Sequence, residues 1–172
     1  MKLSPTYKMQ FKRRQEGKTD YKNRLELLKS DKPRLVARKS LNYITAQIVA
    51  FDKKGDKTIL SANSRQLKKI GWNFACDNLP AAYLTGLALG KQAVKNKIEE
   101  VILDAGLYRT TKGNRIFAVA KGAIDAGLKI NMSEEVLPST DRISGKHIAA
   151  YQSKFKDLPA TFEKIKSQIL GV

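Results

Sequence analysis

The chain has 172 residues, of which 33 are Lys or Arg and 16 are Asp or Glu, and its formal charge of +17 is far beyond what solubility requires. Such a field repels itself unless a polyanion neutralises it, so nucleic acid, an anionic membrane or an acidic protein is the expected partner. A membrane is disfavoured because no apolar run approaches the ~18 residues of a span, and the single cysteine, Cys76, leaves no intramolecular disulfide and no cysteine-rich zinc site.

The charge is concentrated at the start. Residues 1–40 hold 13 Lys or Arg against 4 acids, and "FKRRQEGKTDYKNR" (Phe11 to Arg24) packs six cations and two acids around Phe11 and Tyr21. No clean helical or strand period runs through residues 1–30, which carry Pro5 and Gly17, so this segment is expected to order only against a partner. No apolar stretch with a cleavage site follows the first Met, and the chain is expected to stay in the cytosol.

Periodicity begins at Arg34. "RLVARKS", "YITAQIVAF" and "KTILSA" are short β-branched or aromatic runs separated by "LN" and "DKKGDK", which predicts an antiparallel three-strand meander. Ile44, Ala46, Ile48 and Ala50 alternate with Tyr43, Thr45 and Gln47, so one face meets a core and the other something polar, with Arg34 and Arg38 on the polar side as candidate nucleic-acid contacts.

Asp77, Asn78 and Pro80 then start a helix, "AAYLTGLALGKQAVKNK", in which Ala82, Gly86 and Gly90 recur every fourth residue and predict a bare side lying close against the sheet. "VILDAG" reads as a buried strand ending at Asp104, followed by the loop "LYRTTKGNR". A second helix has Ile116, Phe117, Ala120, Ala123 and Ile124 on one face and Gly127 at its end. Beyond Ser133 come loops and short helices, including a stripe of Phe162, Ile165 and Ile169. The fold class is therefore α/β: a mixed sheet opening with the meander, packed with helices, plus a basic N-terminal extension and short C-terminal helices. The expected divisions are residues 1–30 (basic N-terminal extension), 31–133 (core) and 134–172 (helical tail docked on the core).

Several catalytic patterns fall short. "GLALGK" (Gly86 to Lys91) is one residue short of a phosphate-binding loop and sits inside a helix. His147 is the only histidine, so any catalytic triad would have to be built around "GKHIAAY". Asp52, Asp104 and Asp125 could serve two metals in an RNase H-like metal-dependent nuclease, but a turn and a helix end are ordinary places for Asp. The loop is more informative, since Arg109, Lys112 and Arg115 supply charge and Thr110, Thr111 and Asn114 short polar groups at a helix N-terminus, where an anion is favoured. Spacing alone leaves open whether it contacts phosphate or is a solvated loop whose Asn114 caps the helix.

"FKRRQEGKTDYKNRL", "GLYRTTKGNRIFAVAKGAIDAGLKI" and "GKHIAAY" resemble the archaeal and eukaryotic branch of the large-subunit ribosomal protein family that carries 5S rRNA, number eighteen in the universal scheme; the resemblance spans about Tyr7 to Tyr151. It implies an α/β core with a basic extension, bound to 5S rRNA and 23S-type rRNA in the central protuberance beside neighbouring large-subunit ribosomal proteins, with no enzymatic activity and no cofactor. Matched by position, it implies RNA contacts by Lys12, Arg13, Arg14, Lys18, Tyr21, Lys22 and Arg24, and by Arg109, Thr110, Thr111, Lys112, Asn114 and Arg115. Two departures stand out: Asn131-Met132 replaces an expected Pro-His after "GLKI", and the chain reaches Val172 without the long C-terminal extension of eukaryotic members. A nuclease, or a basic module for an acidic protein, is the alternative.

Overall fold

A computed structural model describes residues 6–171. Residues 1–5 of the expected extension, Pro5 among them, and Val172 lie outside the described residues. Two short helices lead the chain, α1 (Lys12–Gln15) and α2 (Tyr21–Leu28), and the meander follows as β1 (Arg34–Lys39), β2 (Ile44–Ala50) and β3 (Lys57–Asn63). A 3-10 segment, Ser64–Ile70, leads into α3 (Leu79–Lys95), then β4 (Ile102–Asp104) and α4 (Arg115–Asp125). The tail adds 3-10 turns at Glu134–Val136 and Ser153–Phe155 and the helices α5 (Thr140–Ser144), α6 (Lys146–Tyr151) and α7 (Leu158–Leu170).

The sheet has the order β3-β2-β1-β4, with the meander antiparallel and β4 parallel to β1, so the mixed α/β architecture expected from the pattern is present. Alternation divides its two faces. Leu35, Ala37, Ile44, Ala46, Ile48 and Ala62 are buried against the helices, α3 over β2 and β3 and α4 over β1. A register shift at Ile48/Val49 places two residues of β3 against one of β2, and Val49 is buried on the opposite face by alternation.

Helix α3 is apolar nearly all round because it is covered on several sides, by the sheet, α4, α5 and α7. Its glycines do not face the sheet as their spacing suggested. They face α4: a Cβ built on Gly86 would overlap the Val119 carbonyl, and one on Gly122 of α4 would overlap the Tyr83 carbonyl. The two helices are thus in backbone contact, each glycine accepting the other's main chain, while a Cβ on Gly90 would stand only 2.6 Å from that of Ala126. The four-residue spacing identified a close approach and left its partner undetermined, since sheet and helix demand the same bare stripe.

The tail docks as its stripe implies. Phe162 and Ile165 are buried, and the rings of Phe162 and Tyr83 lie 5.6 Å apart across the α7–α3 contact.

An exposed helical glycine replaced by alanine would gain about 1 kcal/mol of helix propensity. Gly122→Ala is expected to do the opposite, destabilising by roughly 1–3 kcal/mol because the methyl wedges two backbones apart. At roughly 2–4 °C per kcal/mol for a chain of this size, the thermal midpoint should fall measurably; a rise would mean that α3 and α4 do not touch there.

Candidate nucleic-acid interface

The face of the sheet turned away from α3 and α4 carries Arg34, Val36 and Arg38 of β1, opposite Val49, Gln47 and Thr45 of β2. Across it runs a ladder of alternating charge. Arg24 of α2 grips Asp56, in the β2–β3 turn, with two hydrogen bonds of 2.7 Å. Asp56 also accepts from Arg34 at 2.6 Å, Arg34 donates to Asp104 at 2.8 Å, and Asp104 accepts from Arg38 at 3.0 Å. The inner pair is nearly dry, with side-chain exposures of 4% for Arg34 and 9% for Asp104. Such forked, charge-assisted contacts fix direction as well as distance. The hydrogen bond from Arg24, opposed by partial burial and reinforced by Arg34, holds the Asp56 carboxyl below its ordinary range, and the same contact raises Arg24.

The ladder continues into the 105–113 loop. Gly106 N–H donates to Asp104 at 2.8 Å, and a Cβ on Gly106 would meet the Arg38 guanidinium at 2.9 Å, so the guanidinium lies against the bare loop root. Tyr108 O–H donates to the Lys39 carbonyl at 2.7 Å while Lys39 Nζ sits 5.4 Å from the Tyr108 ring centre. Beyond these anchors, Arg109, Thr110 and Thr111 are exposed, and no side-chain partner engages them among the described residues.

The arm is helical where its charge pattern shows no period. Asp20 caps α2, accepting from Lys22 N–H at 3.0 Å and Asn23 N–H at 3.2 Å, and Arg24 then ties the helix to the sheet. No residue of α2 is buried, which is why hydrophobic spacing does not reveal it. Lys12, Arg14 and Lys22 project outward without acidic partners among the described residues. Arg13 donates to Thr19 at 2.9 Å, Lys18 pairs with Glu16 at 2.8 Å, and Tyr21 packs on Phe11 with ring centres 5.0 Å apart.

The candidate residues therefore divide. Arg34, expected on an open polar face, is buried because both of its terminal nitrogens serve carboxylates of the fold. Arg24 and Arg38 are largely engaged in the same ladder. Asn114 caps α4, accepting from Phe117 N–H at 3.0 Å, and Arg115 turns back to Asp77, donating to its carbonyl at 2.7 Å and its carboxylate at 3.0 Å. Asp77 directly precedes Asn78, the cap of α3, so Arg115 ties the starts of the two helices together. Lys112 pairs with Glu135 at 3.2 Å on the surface. Sequence reasoning missed Asp20 and Asp56, and read Asp77 as a helix start but not as the partner of Arg115; in each case an acid near a turn or helix start was the available signal.

The other patterns resolve as structure. Gly86 to Lys91 lies inside α3, and Asp125 accepts from Tyr83 at 2.8 Å and pairs with Lys121 at 2.9 Å. Asp52 caps its own turn by accepting from Lys54 N–H at 3.2 Å. Among the described residues no three His, Cys, Asp or Glu side chains come together as a metal site. Burial pushes the Cys76 thiol up, as befits a packed rather than a reactive cysteine. Charge is also segregated: residues 134–172 hold six Lys or Arg against five acids, so +16 of the +17 resides in residues 1–133.

An α/β sandwich with a cationic arm and loop joined across one face of its sheet, and a near-neutral helical layer elsewhere, defines the class of small basic proteins that sit against a polyanion. The family described as "Ribosomal large subunit proteins 60S L5, and 50S L18" matches residues 5–100 and 95–133. The Large ribosomal subunit protein uL18 of Methanococcus maripaludis is 49% identical over 170 residues, covering 99% of this chain and 88% of that protein. The chain belongs to this ribosomal family and is a structural constituent of the large subunit of the cytoplasmic ribosome, with its part in translation.

Because Arg24 is the arm's main tie to the core, Arg24→Gln is expected to shift the backbone NMR resonances of residues 21–28 toward random-coil values while leaving the thermal midpoint nearly unchanged. Acid should act alike. A carboxylate depressed in the folded state contributes fully above its unfolded value, here 3.8, and its contribution is lost as pH falls below that. The same resonances should therefore move between about pH 4 and lower pH, and Arg24→Gln should abolish the titration. Arm resonances insensitive to both changes would show that Asp56 does not hold the arm.

Proposed function

We propose that this chain binds 5S rRNA and helps attach it to 23S rRNA in the central protuberance, acting as a scaffold without catalytic chemistry. The observation that carries this reading is the convergence of arm and loop: Arg13 and Lys18 of the arm and Gly106 and Leu107 at the loop root line one cavity, with the unpaired cations Lys12, Arg14, Lys22 and Arg109 on the same two segments. Two RNA segments can be drawn together only if their phosphates are neutralised between them, and a charged surface with two arms does this without an acidic core penalty. Tyr21 and Phe11 supply rings for unstacked bases. The near-neutral tail suits contact with neighbouring large-subunit proteins, where dense charge would have to be desolvated.

Generic and positioned charge should separate in titrations against 5S rRNA and tRNA. Replacing Lys12, Arg14 and Lys22 with Gln is expected to lower the slope of log affinity against log salt by about 2–3 for both RNAs, since each phosphate contact contributes roughly 0.7–0.9. Arg109→Lys preserves charge and removes only the planar fork. It should weaken 5S rRNA binding several-fold and leave tRNA binding nearly unchanged; equal effects on both would reduce this loop to a solvated basic surface.

A further inference from the structure

We propose that the cavity between the arm and the polar face of the sheet holds one unstacked nucleotide of a bound RNA chain. The inference rests on the rRNA-binding reading and adds a specific receptor within it. The cavity measures about 310 Å³, within the range of roughly 300–1,000 Å³ that small-molecule sites occupy. Arm residues Arg13, Lys18 and Asn23 line it on one side and sheet residues Val36, Gln47 and Val49 on the other.

Its lining has the three parts that a nucleotide requires. Val36 and Val49 on the sheet and Leu27 and Leu107 at its edges present aliphatic surface to the faces of a base. Two amides provide donors and acceptors for the base edge. Gln47 has only a 3.5 Å contact to Ser61 Oγ, and the Asn23 side chain has no hydrogen-bond partner among the described residues. Arg13 supplies the cation: it uses its Nε on Thr19 and keeps its terminal nitrogens, while Lys18, also in the lining, pairs with Glu16.

The acids in the wall do not cancel this charge. Of the three acids in the wall, Asp56 and Asp104 are each gripped by two arginines of the ladder, and Asp20 is engaged by the start of α2, accepting from the Lys22 and Asn23 N–H groups. Arg34, which also lines the cavity, keeps one buried donor, Nε, without a partner.

The test uses the full chain and three RNA probes: a single-stranded pentanucleotide, a hairpin duplex and 5S rRNA, with tRNA as reference. Gln47→Leu removes an amide and no charge, and Thr58→Phe fills the cavity from an exposed position on β3. Thermal melts establish that both variants fold. Each is expected to bind the pentanucleotide about tenfold more weakly, the loss of a site whose polar partners go unmatched, with duplex affinity and the salt slope unchanged. Variants that bind the pentanucleotide like the parent protein would overturn the nucleotide site, while a retained preference of all proteins for 5S rRNA over tRNA would leave the rRNA reading standing. Competition by free nucleoside monophosphate as effective as that by the pentanucleotide would overturn the requirement for an RNA chain. No preference for 5S rRNA in the parent protein would sink the underlying reading independently of the variants.

Discussion

The pairing of Arg34 with Asp104 is the contact on which the functional half of the molecule depends. It joins β1 to β4 on the face that the helices leave open, at the sheet edge where the chain returns after α3. A dry ion pair is weak evidence of stability, because desolvation consumes most of the Coulomb attraction, yet removal of one partner would leave a buried charge exposed to no solvent. What the pair supplies is position. Asp104 has enough lone pairs to hold Arg38 and the Gly106 N–H as well, which sets the root of the loop, and Arg34 has a second nitrogen for Asp56, which sets the arm. Replacing the pair with hydrophobic residues of equal volume would serve the core and would cut the arm and loop adrift from each other.

This arrangement accommodates a formal charge of +17 within the fold. Its cations are not one population. Arg24, Arg34, Arg38 and Arg115 are arginines engaged with Asp56, Asp104 and Asp77, where planar forks meet carboxylates at fixed angles. The outward cations are mainly lysines, together with Arg13, Arg14, Arg65, Arg109 and Arg142, spread on exposed segments where solvent screens their mutual repulsion. Few acids suffice because each carboxylate of the ladder is shared by two arginines. On the opposite face of the sheet the glycine contact of α3 with α4 brings the two helices to backbone distance.

The regular parts of this architecture were legible in the chain because burial writes a period. Ile44, Ala46 and Ile48 announced a two-faced strand, Asn78 and Pro80 announced α3, and Phe162 and Ile165 announced a docked tail. The resemblance carried by the arm and by the 106–130 stretch reached the family directly. The parts left unread are those held by polar contacts between residues far apart in sequence. Helix α2 buries nothing, so it is specified by the Asp20 cap and by Arg24 reaching across 32 residues to Asp56. Arg34 and Arg38 were correctly assigned to a face, yet only the register of β4 reveals that Asp104 waits there to receive both. Arg115 likewise has the composition of a phosphate ligand and the geometry of a structural tie.

Whether the arm strengthens or hinders RNA binding follows from the same ladder. A flexible cationic segment loses backbone and side-chain freedom when it wraps RNA, and that entropy opposes association. Docking by Arg24 to Asp56 removes part of the loss in advance, because the φ and ψ angles of residues 21–28 are already helical. The carboxylate that docks the arm could instead have lowered affinity by repelling phosphate. It does not, since Arg24 and Arg34 surround it, and the contact leaves Lys12, Arg14 and Lys22 facing outward. One aspartate thus spends its charge inside the protein to organise several cations outside it.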